Sequence, residues 1–294
     1  MLRLLLYILP LGALSRVVGF LVHFPFPRPV TRWMIGWYCR HFRIDLGEVE
    51  GSLESFRTLG DFFVRRLQPG ARPIDPAADT IVSPVDGRVY EGGAIEAGTL
   101  VQAKGRRFTL EDLLAGPSDR YRWFVTLYLS PRDYHRIHAP CHGRIVRTRH
   151  IPGRLFPVNP YAVREIPDLF PRNERVVTFM ESEAGPLALV SVAATNVGDI
   201  VLEYDPSLRT NRLFGRQRIE RHYDPPRPVA KGEEIARFEM GSTVILLLPE
   251  GVEALLGVAP GTAVRMGSAI ARFHPLSPPR MAEPSPSDRK RETP

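Results

Sequence analysis

The chain has only two cysteines, Cys39 and Cys141, in 294 residues. Two widely separated thiols exclude a disulfide framework and make a reducing compartment the simpler expectation. Acid is missing where charge balance would want it. No Asp or Glu precedes Asp45, whereas Arg3, Arg16, Arg28, Arg32, Arg40 and Arg43 all do. That segment holds most of the net charge of +7, so the remainder is close to neutral. A basic segment rich in aromatic and aliphatic residues suits an anionic membrane surface. Nucleic-acid binding would call instead for basic residues spread over a folded face. Long apolar runs are missing as well. The uncharged stretch between Arg3 and Arg16 covers 12 residues, short of the ~20 that cross a bilayer. Pro10 interrupts it, and no small-residue cleavage site precedes Arg16. There is no internal repeat. Hydrophobic content of 44% and charged content of 24% exclude global disorder, and the length suits one large or two small domains.

What is present falls into four parts. Residues 1–45 carry Pro25, Pro27 and Pro29, then Trp33, Trp37 and Tyr38 interleaved with Arg32 and Arg40. This reads as short amphipathic helices lying in a membrane interface, with a helical hairpin packed on a core as the alternative. Residues 46–80 form a linking region with a helix expected over Phe56–Leu67, its face made by Leu59, Phe62, Phe63 and Leu67 and its end set by Pro69-Gly70. Residues 81–274 are β-rich, with strands expected on either side of the turn Pro84-Val85-Asp86-Gly87 and at Gly98–Lys104, Phe124–Leu129, Gly143–His150, Arg175–Glu181, Leu187–Ala194, Ile200–Tyr204, Glu234–Glu239 and Thr243–Leu248. Leu110–Leu114 reads as a short helix, and 205–228 as a long polar loop with no assigned role. The tail 275–294, rich in Pro, Ser and charge, cannot bury a core and is expected to be disordered.

Three features could carry chemistry. Gly241-Ser242-Thr243 opens a strongly apolar strand, which would fix a nucleophile while the preceding turn exposes it. Met266-Gly267-Ser268 repeats most of the same pattern, so the tripeptide alone is ordinary turn chemistry. His135, His138, Cys141 and His142 crowd into eight residues, a set zinc would accept. Pro140 disfavours a helix through them and no second ligand cluster exists, so no metal is expected. Asp86 before Gly87 is the commonest kind of turn aspartate; with a histidine and Ser242 it would form a triad, which only spatial proximity can establish.

Several long blocks resemble phosphatidylserine decarboxylase proenzymes of the bacterial type. They are Phe62-Phe63-Val64-Arg65 with Arg72-Pro73-Ile74-Asp75, Gln102-Ala103-Lys104-Gly105, Leu110 through Gly116, and Tyr128 through His138 nearly residue for residue. Pro152-Gly153 with Leu155 through Asn159, Asn173-Glu174-Arg175-Val176 and Gly241 through Ile245 continue the match, which runs from about residue 45 to 272. Met240, Val85 and Ala193 depart from the family's commoner leucine, alanine and glycine, and none of them is a reacting group.

The resemblance implies an α+β fold with a β-rich core of lipoyl-like, hammerhead-type sheets and N-terminal membrane-associating helices. It implies self-cleavage between Gly241 and Ser242 into a β chain of 1–241 and an α chain of 242–294, with Ser242 converted to a covalent pyruvoyl cofactor. Asp86, His138 and Ser242 are then the processing residues, His138 being held by Asp86, and His135 is the candidate proton donor. The implied reaction is decarboxylation of phosphatidylserine to phosphatidylethanolamine through a Schiff base. The expected partners are phosphatidylserine in an anionic membrane and the two chains of one molecule, with a homodimer left open and no nucleic acid. The expected location is peripheral, on the cytoplasmic face of the cell membrane. Two competing readings are a non-enzymatic lipoyl-like membrane module and a pyruvoyl decarboxylase of a soluble amino acid. Asp86, His138 and Gly241-Ser242 together oppose the first, and the membrane-prone start opposes the second.

Overall fold

The computed structural model describes residues 11–103, 105–195, 199–211, 217–239 and 243–274. Two helices open it, α1 (Leu11–His23) and α2 (Arg28–Phe42), followed after two 3-10 turns by a five-residue helix, α3 (Leu59–Phe63). The β-rich part begins with β1 (Thr80–Val82), β2 (Gly87–Ala94), β3 (Thr99–Ala103), β4 (Arg106–Thr109), α4 (Leu110–Leu114), β5 (Trp123–Tyr128), β6 (Arg136–His138) and β7 (Gly143–Ile151). It continues through α5 (Pro160–Glu165), α6 (Leu169–Arg172), β8 (Arg175–Ser182), β9 (Gly185–Val192), β10 (Ile200–Leu202), β11 (Ile219–Val229), β12 (Glu234–Phe238), β13 (Thr243–Leu248), β14 (Val252–Leu255), β15 (Ala263–Val264) and β16 (Ala269–Phe273). The class is α+β, as expected.

An eight-stranded antiparallel sheet in the order β11-β7-β8-β9-β13-β5-β2-β15 forms the backbone of the molecule. Its inner strand β13 pairs with β9 on one side and β5 on the other. Val244, Ile245, Leu246, Leu247 and Leu248 are fully buried, which is why the run is aliphatic throughout and does not alternate. Each such side chain contributes about 2 kcal/mol of hydrophobic stabilisation, so Thr243 sits at the mouth of one of the most firmly held strands. The strand before it, β12, belongs to a different sheet of order β10-β12-β6. Residues 240–242 therefore join two sheets, and the Gly241-Ser242 expectation itself lies outside the described residues.

Two expectations change. The helix over Phe56–Leu67 shrinks to Leu59–Phe63: a capping box between Thr58 and Asp61 starts it. Beyond Val64 the chain turns to pair with 48–50, where Glu50 N–H donates to Arg66 O and Gln68 N–H to Glu48 O. The polar stretch 205–228 is only partly loop, because 219–229 forms β11, the edge of the large sheet. Pro225, Pro226 and Pro228 are tolerated there since an edge strand need not donate on both sides, and the register shifts between His222 and Arg227. The start of the basic segment at 1–10 and the tail at 275–294 lie outside the described residues.

The N-terminal helices pack on a core of their own and also leave an apolar face exposed. One face of α2 buries Ile35, Tyr38 and Cys39 with Phe62 and Phe63 of α3 in a small separate core. The opposite face leaves Trp33 66% and Trp37 50% exposed, and α1 exposes Val17, Phe20 and Leu21. Among the described residues no helix is long and apolar enough to cross a membrane.

Candidate active site

The loop between β1 and β2 holds Asp86, and packing dictates its glycine. A Cβ on Gly87 would lie 2.4 Å from Tyr128 O, so only glycine lets β2 approach β5 directly after the aspartate. The buried Asp86 carboxylate takes Arg72 Nε at 2.9 Å to each oxygen and an Arg72 terminal nitrogen at 2.6 Å. Met266 N–H donates to Asp86 Oδ1 at 2.8 Å. The same terminal nitrogen of Arg72 also meets Glu48 at 2.8 Å. Despite burial, which acts the other way, the bonds to Asp86 and Glu48 push the Arg72 guanidinium above its ordinary value. The Met266-Gly267-Ser268 step is thus accounted for by structure. Gly267, at φ +88°, turns the chain so that Met266 caps Asp86 and Gly267 N–H donates to Ser83 O.

His138 ends β6 beside this loop, its backbone N–H donating to Pro84 O at 2.9 Å. Its Nδ1 donates to Gly232 O at 2.8 Å, which leaves Nε2 with a lone pair. Tyr134 Oη donates to that Nε2 at 3.1 Å. Burial, the largest influence, draws the His138 pKa below the ordinary value, so the ring is neutral at pH 7 and has the protonation state of a general base. In this structure Asp86 and His138 are neighbours without a hydrogen bond between them. The Gly232 carbonyl occupies Nδ1, the Asp86 carboxylate is satisfied by Arg72 and Met266, and Asp86 reaches the imidazole only through its field.

His135 is fully buried and packs against Phe63 with 4.1 Å between ring centroids, the rings tilted by 43°. Its Nδ1 donates to Asp133 O at 2.8 Å, and its Nε2 has no partner. Burial, followed by the nearby Arg65 charge, lowers its pKa to about 3. The ring presents a lone pair at neutral pH, so a donor role requires that it first take up a proton. The His135 carbonyl accepts Phe238 N–H at 3.0 Å, tying it to the strand that enters residues 240–242. On the strand that leaves them, Thr243 Oγ1 is likewise buried and unpartnered.

The structure thus sets His138 beside the Asp86 loop and opposite the start of β12, and His135 at the end of β12 that leads toward residues 240–242, which lie outside the described residues. Arg72, Tyr134 and Gly232 were not singled out for a role by sequence. Arg72 and Tyr134 lay inside the matched blocks, but nothing in one dimension says that a residue fourteen positions upstream grips Asp86. Among the described residues no three His, Cys, Asp or Glu side chains group closely enough to hold a metal ion. Buried unpaired polar atoms at His135 and Thr243 fit a polar group made from residue 242.

A family model described as phosphatidylserine decarboxylase matches residues 59–272. A phosphatidylserine decarboxylase proenzyme of Anaeromyxobacter sp. (strain K) is 45% identical over 270 residues, covering 90% of this chain and 95% of the relative. The proenzyme of the same name from Brevibacillus brevis is 45% identical over 274 residues, with 91% and 96% covered. That of Myxococcus xanthus is 42% identical over 272 residues, with 90% and 96% covered.

Proposed function

The chain belongs to the phosphatidylserine decarboxylase family, and on that premise we propose that it is made as a proenzyme, cuts itself before Ser242, and decarboxylates phosphatidylserine at a membrane surface. In the first stage His138 Nε2 takes the Ser242 hydroxyl proton, for which Tyr134 Oη must give way, and the serine oxygen attacks the Gly241 carbonyl. The peptide C–N bond breaks as the ester forms, freeing the Ser242 amine. Elimination then expels the Gly241 carboxylate, and one water replaces one ammonia to leave a pyruvoyl group at the new N-terminus. Serine is required because its Cβ carries the leaving oxygen and nothing else. Asp86 supports the positive charge that His138 acquires, acting through its field, while Arg72 keeps that carboxylate in place.

The pyruvoyl group, once formed from Ser242, supplies an electron sink for the pair left behind by carbon dioxide. Thr243 Oγ1 and His135 Nε2 are the buried polar atoms available to hold it. His135 would move a proton at Nε2, accepting one as the substrate amine sheds it and returning it to the substrate carbon. Its neutral state supports that order of events. The two chains would stay together after cleavage, because the small one contributes β13 to the interior of the large sheet and β16 to the pairing with β1. The exposed aromatic face of α1 and α2, with its arginines, supports peripheral docking on the anionic cytoplasmic face of the cell membrane.

The observation that carries the reading is the pair of buried, unpartnered atoms His135 Nε2 and Thr243 Oγ1: the His135 carbonyl is bonded to Phe238 on the strand that leads into Gly241-Ser242, and Thr243 begins the strand that leads out. Intact mass under denaturing conditions tests it. Wild type should give chains of 1–241 and 242–294 with a blocked N-terminus on the smaller, and Ser242→Ala and His138→Ala should each give one uncut chain. A normally cut Ser242→Ala protein would end the proposal.

A further inference from the structure

Between α1 and the chain after β10 lies a cavity of about 400 Å³ that the processing chemistry does not use. Arg16, Gly19 and His23 line it from the helix, and Asp199, Arg209 and Glu239 line it from the body. The spacing of the three helical residues puts them on one stripe of α1, while Val17, Phe20, Leu21 and Phe24 fall on the neighbouring stripe and are exposed. One helix therefore offers a polar face to the cavity and, beside it, an apolar face to the outside.

The body side of the cavity is rigidly built. Thr210 donates from both N and Oγ1 to Asp199 Oδ1, at 2.9 and 2.7 Å, and its Oγ1 accepts Ile200 N–H at 2.8 Å. Asn211 N–H donates to Glu174 Oε1 at 2.9 Å, and Glu174 is itself fixed by buried His150 at 2.8 Å. Glu239 N–H donates to Asp199 O at 3.0 Å, and its carboxylate meets His23 Nε2 at 3.2 Å and Arg237 Nε at 3.1 Å. Burial raises the Asp199 pKa, while the hydrogen bond to Glu239 raises that of His23. Arg209 reaches Asp199 only at 3.6 Å and is half exposed, and half-buried Arg16 has no ion pair among the described residues. Two guanidiniums thus have capacity for an anion at the rim, above a floor of carboxylates.

We propose that this cavity is the headgroup site for the phospholipid substrate, with Arg16 and Arg209 gripping the phosphodiester and Asp199 facing the serine ammonium. The assignment rests on the family reading of the substrate and goes on to say where and by which groups it is held. The apolar stripe beside Arg16 would lie among the acyl chains while the headgroup turns inward. Glu239, which lines the cavity, is three residues from Ser242, a span of at most about 11 Å of chain, which keeps the headgroup near the residue its amine must meet. The substrate carboxylate is left without a cation of its own, which keeps the ground state from being stabilised against loss of carbon dioxide.

Decarboxylation kinetics in mixed micelles of phosphatidylserine and neutral detergent test the assignment, using full-length, self-processed protein. Arg209→Gln and Arg16→Gln should each raise KM about tenfold, the loss expected for one charge-assisted hydrogen bond, with kcat within about twofold. Gly19→Leu provides an independent arm. A Cβ at Gly19 meets nothing within 4 Å, so a side chain starts there in open space on the stripe that lines the cavity, and leucine also improves the helix; it should raise KM similarly, whereas Gly19→Ala should not. Arg144→Gln, an exposed arginine elsewhere on the surface, should match wild type. Flotation of Arg209→Gln and Gly19→Leu on vesicles of phosphatidylserine and phosphatidylcholine should be undiminished. The headgroup site is overturned if wild type is active and the cavity variants keep its KM, or if their KM rises only in step with lost flotation. Wild type that is cut but inactive on phosphatidylserine would instead overturn the substrate reading.

Discussion

The helical layer and the sheet body solve different problems. In the body, β13 is buried on every side, and its neighbours satisfy its backbone completely. In the layer, α1 and α2 bury a single stripe and leave Phe20 and Trp33 in the open. The contacts between the two are few and concentrated. Tyr38 Oη donates to Pro131 O at 2.7 Å, Arg65 to Arg132 O at 2.8 Å, and Arg136 Nε to Val64 O at 2.9 Å. Phe63 packs against His135, and His23 meets Glu239. All of these land on the 131–136 segment or next to residues 240–242. The layer is therefore held in part against the 131–136 segment and the end of β12. The exposed apolar face of the helices and the loop that positions the histidines share one small joint.

Breaking that arrangement at Arg72 should have the largest effect. Arg72→Ala leaves Asp86 buried without its cation, a loss of about 3–5 kcal/mol, with the chain left largely uncut. Urea unfolding and a denaturing gel measure the two consequences, and Arg72→Lys, which keeps the charge without the fork, should recover only part of each.

Acid provides a second, smaller test. His135 binds a proton in the unfolded chain near pH 6.5 but in the folded one only near 3. Between those values the unfolded state holds more protons, so stability rises with pH and is lost as pH falls below 6.5. From pH 6.5 to 5 the loss from this residue is about 2 kcal/mol, and His138 acts in the same direction. His135→Asn should show a correspondingly shallower fall between pH 7 and 5 in urea titrations; an unchanged slope would mean that His135 is not held neutral.

The smallest effect on folding belongs to the layer's outer face. Phe20→Ala with Trp33→Ala should change unfolding free energy by less than about 0.5 kcal/mol, because neither ring is buried. The same pair should lose flotation on anionic vesicles. A large stability loss, or full flotation, would show that the exposed stripe belongs to the fold and not to a surface.

Much of the architecture was legible in one dimension because it is local. The aliphatic run Thr243–Leu248 could only be a buried strand, and Leu110–Leu114 behind Thr109 could only be a short capped helix. The site was half legible. The histidine motif and Asp86 stood out by residue type and by their matched blocks, but the groups that occupy their atoms here, Arg72 on Asp86 and the Gly232 carbonyl on His138, are distant in sequence and were not legible. The long stretch 205–228 misled because its prolines suggest a loop, and only the place of 219–229 at a sheet edge makes a strand of it.

By itself the sequence determined the family and the position of most long strands along the chain, because those follow from residue type and short-range pattern. Tertiary structure alone decided that β12 and β13 belong to different sheets, so that residues 240–242 bridge them, and that the buried histidines are neutral. It also decided that the N-terminal helices rest on the site. Each of these depends on burial and on partners tens to hundreds of positions apart, and no local pattern encodes which distant group will reach a given atom first.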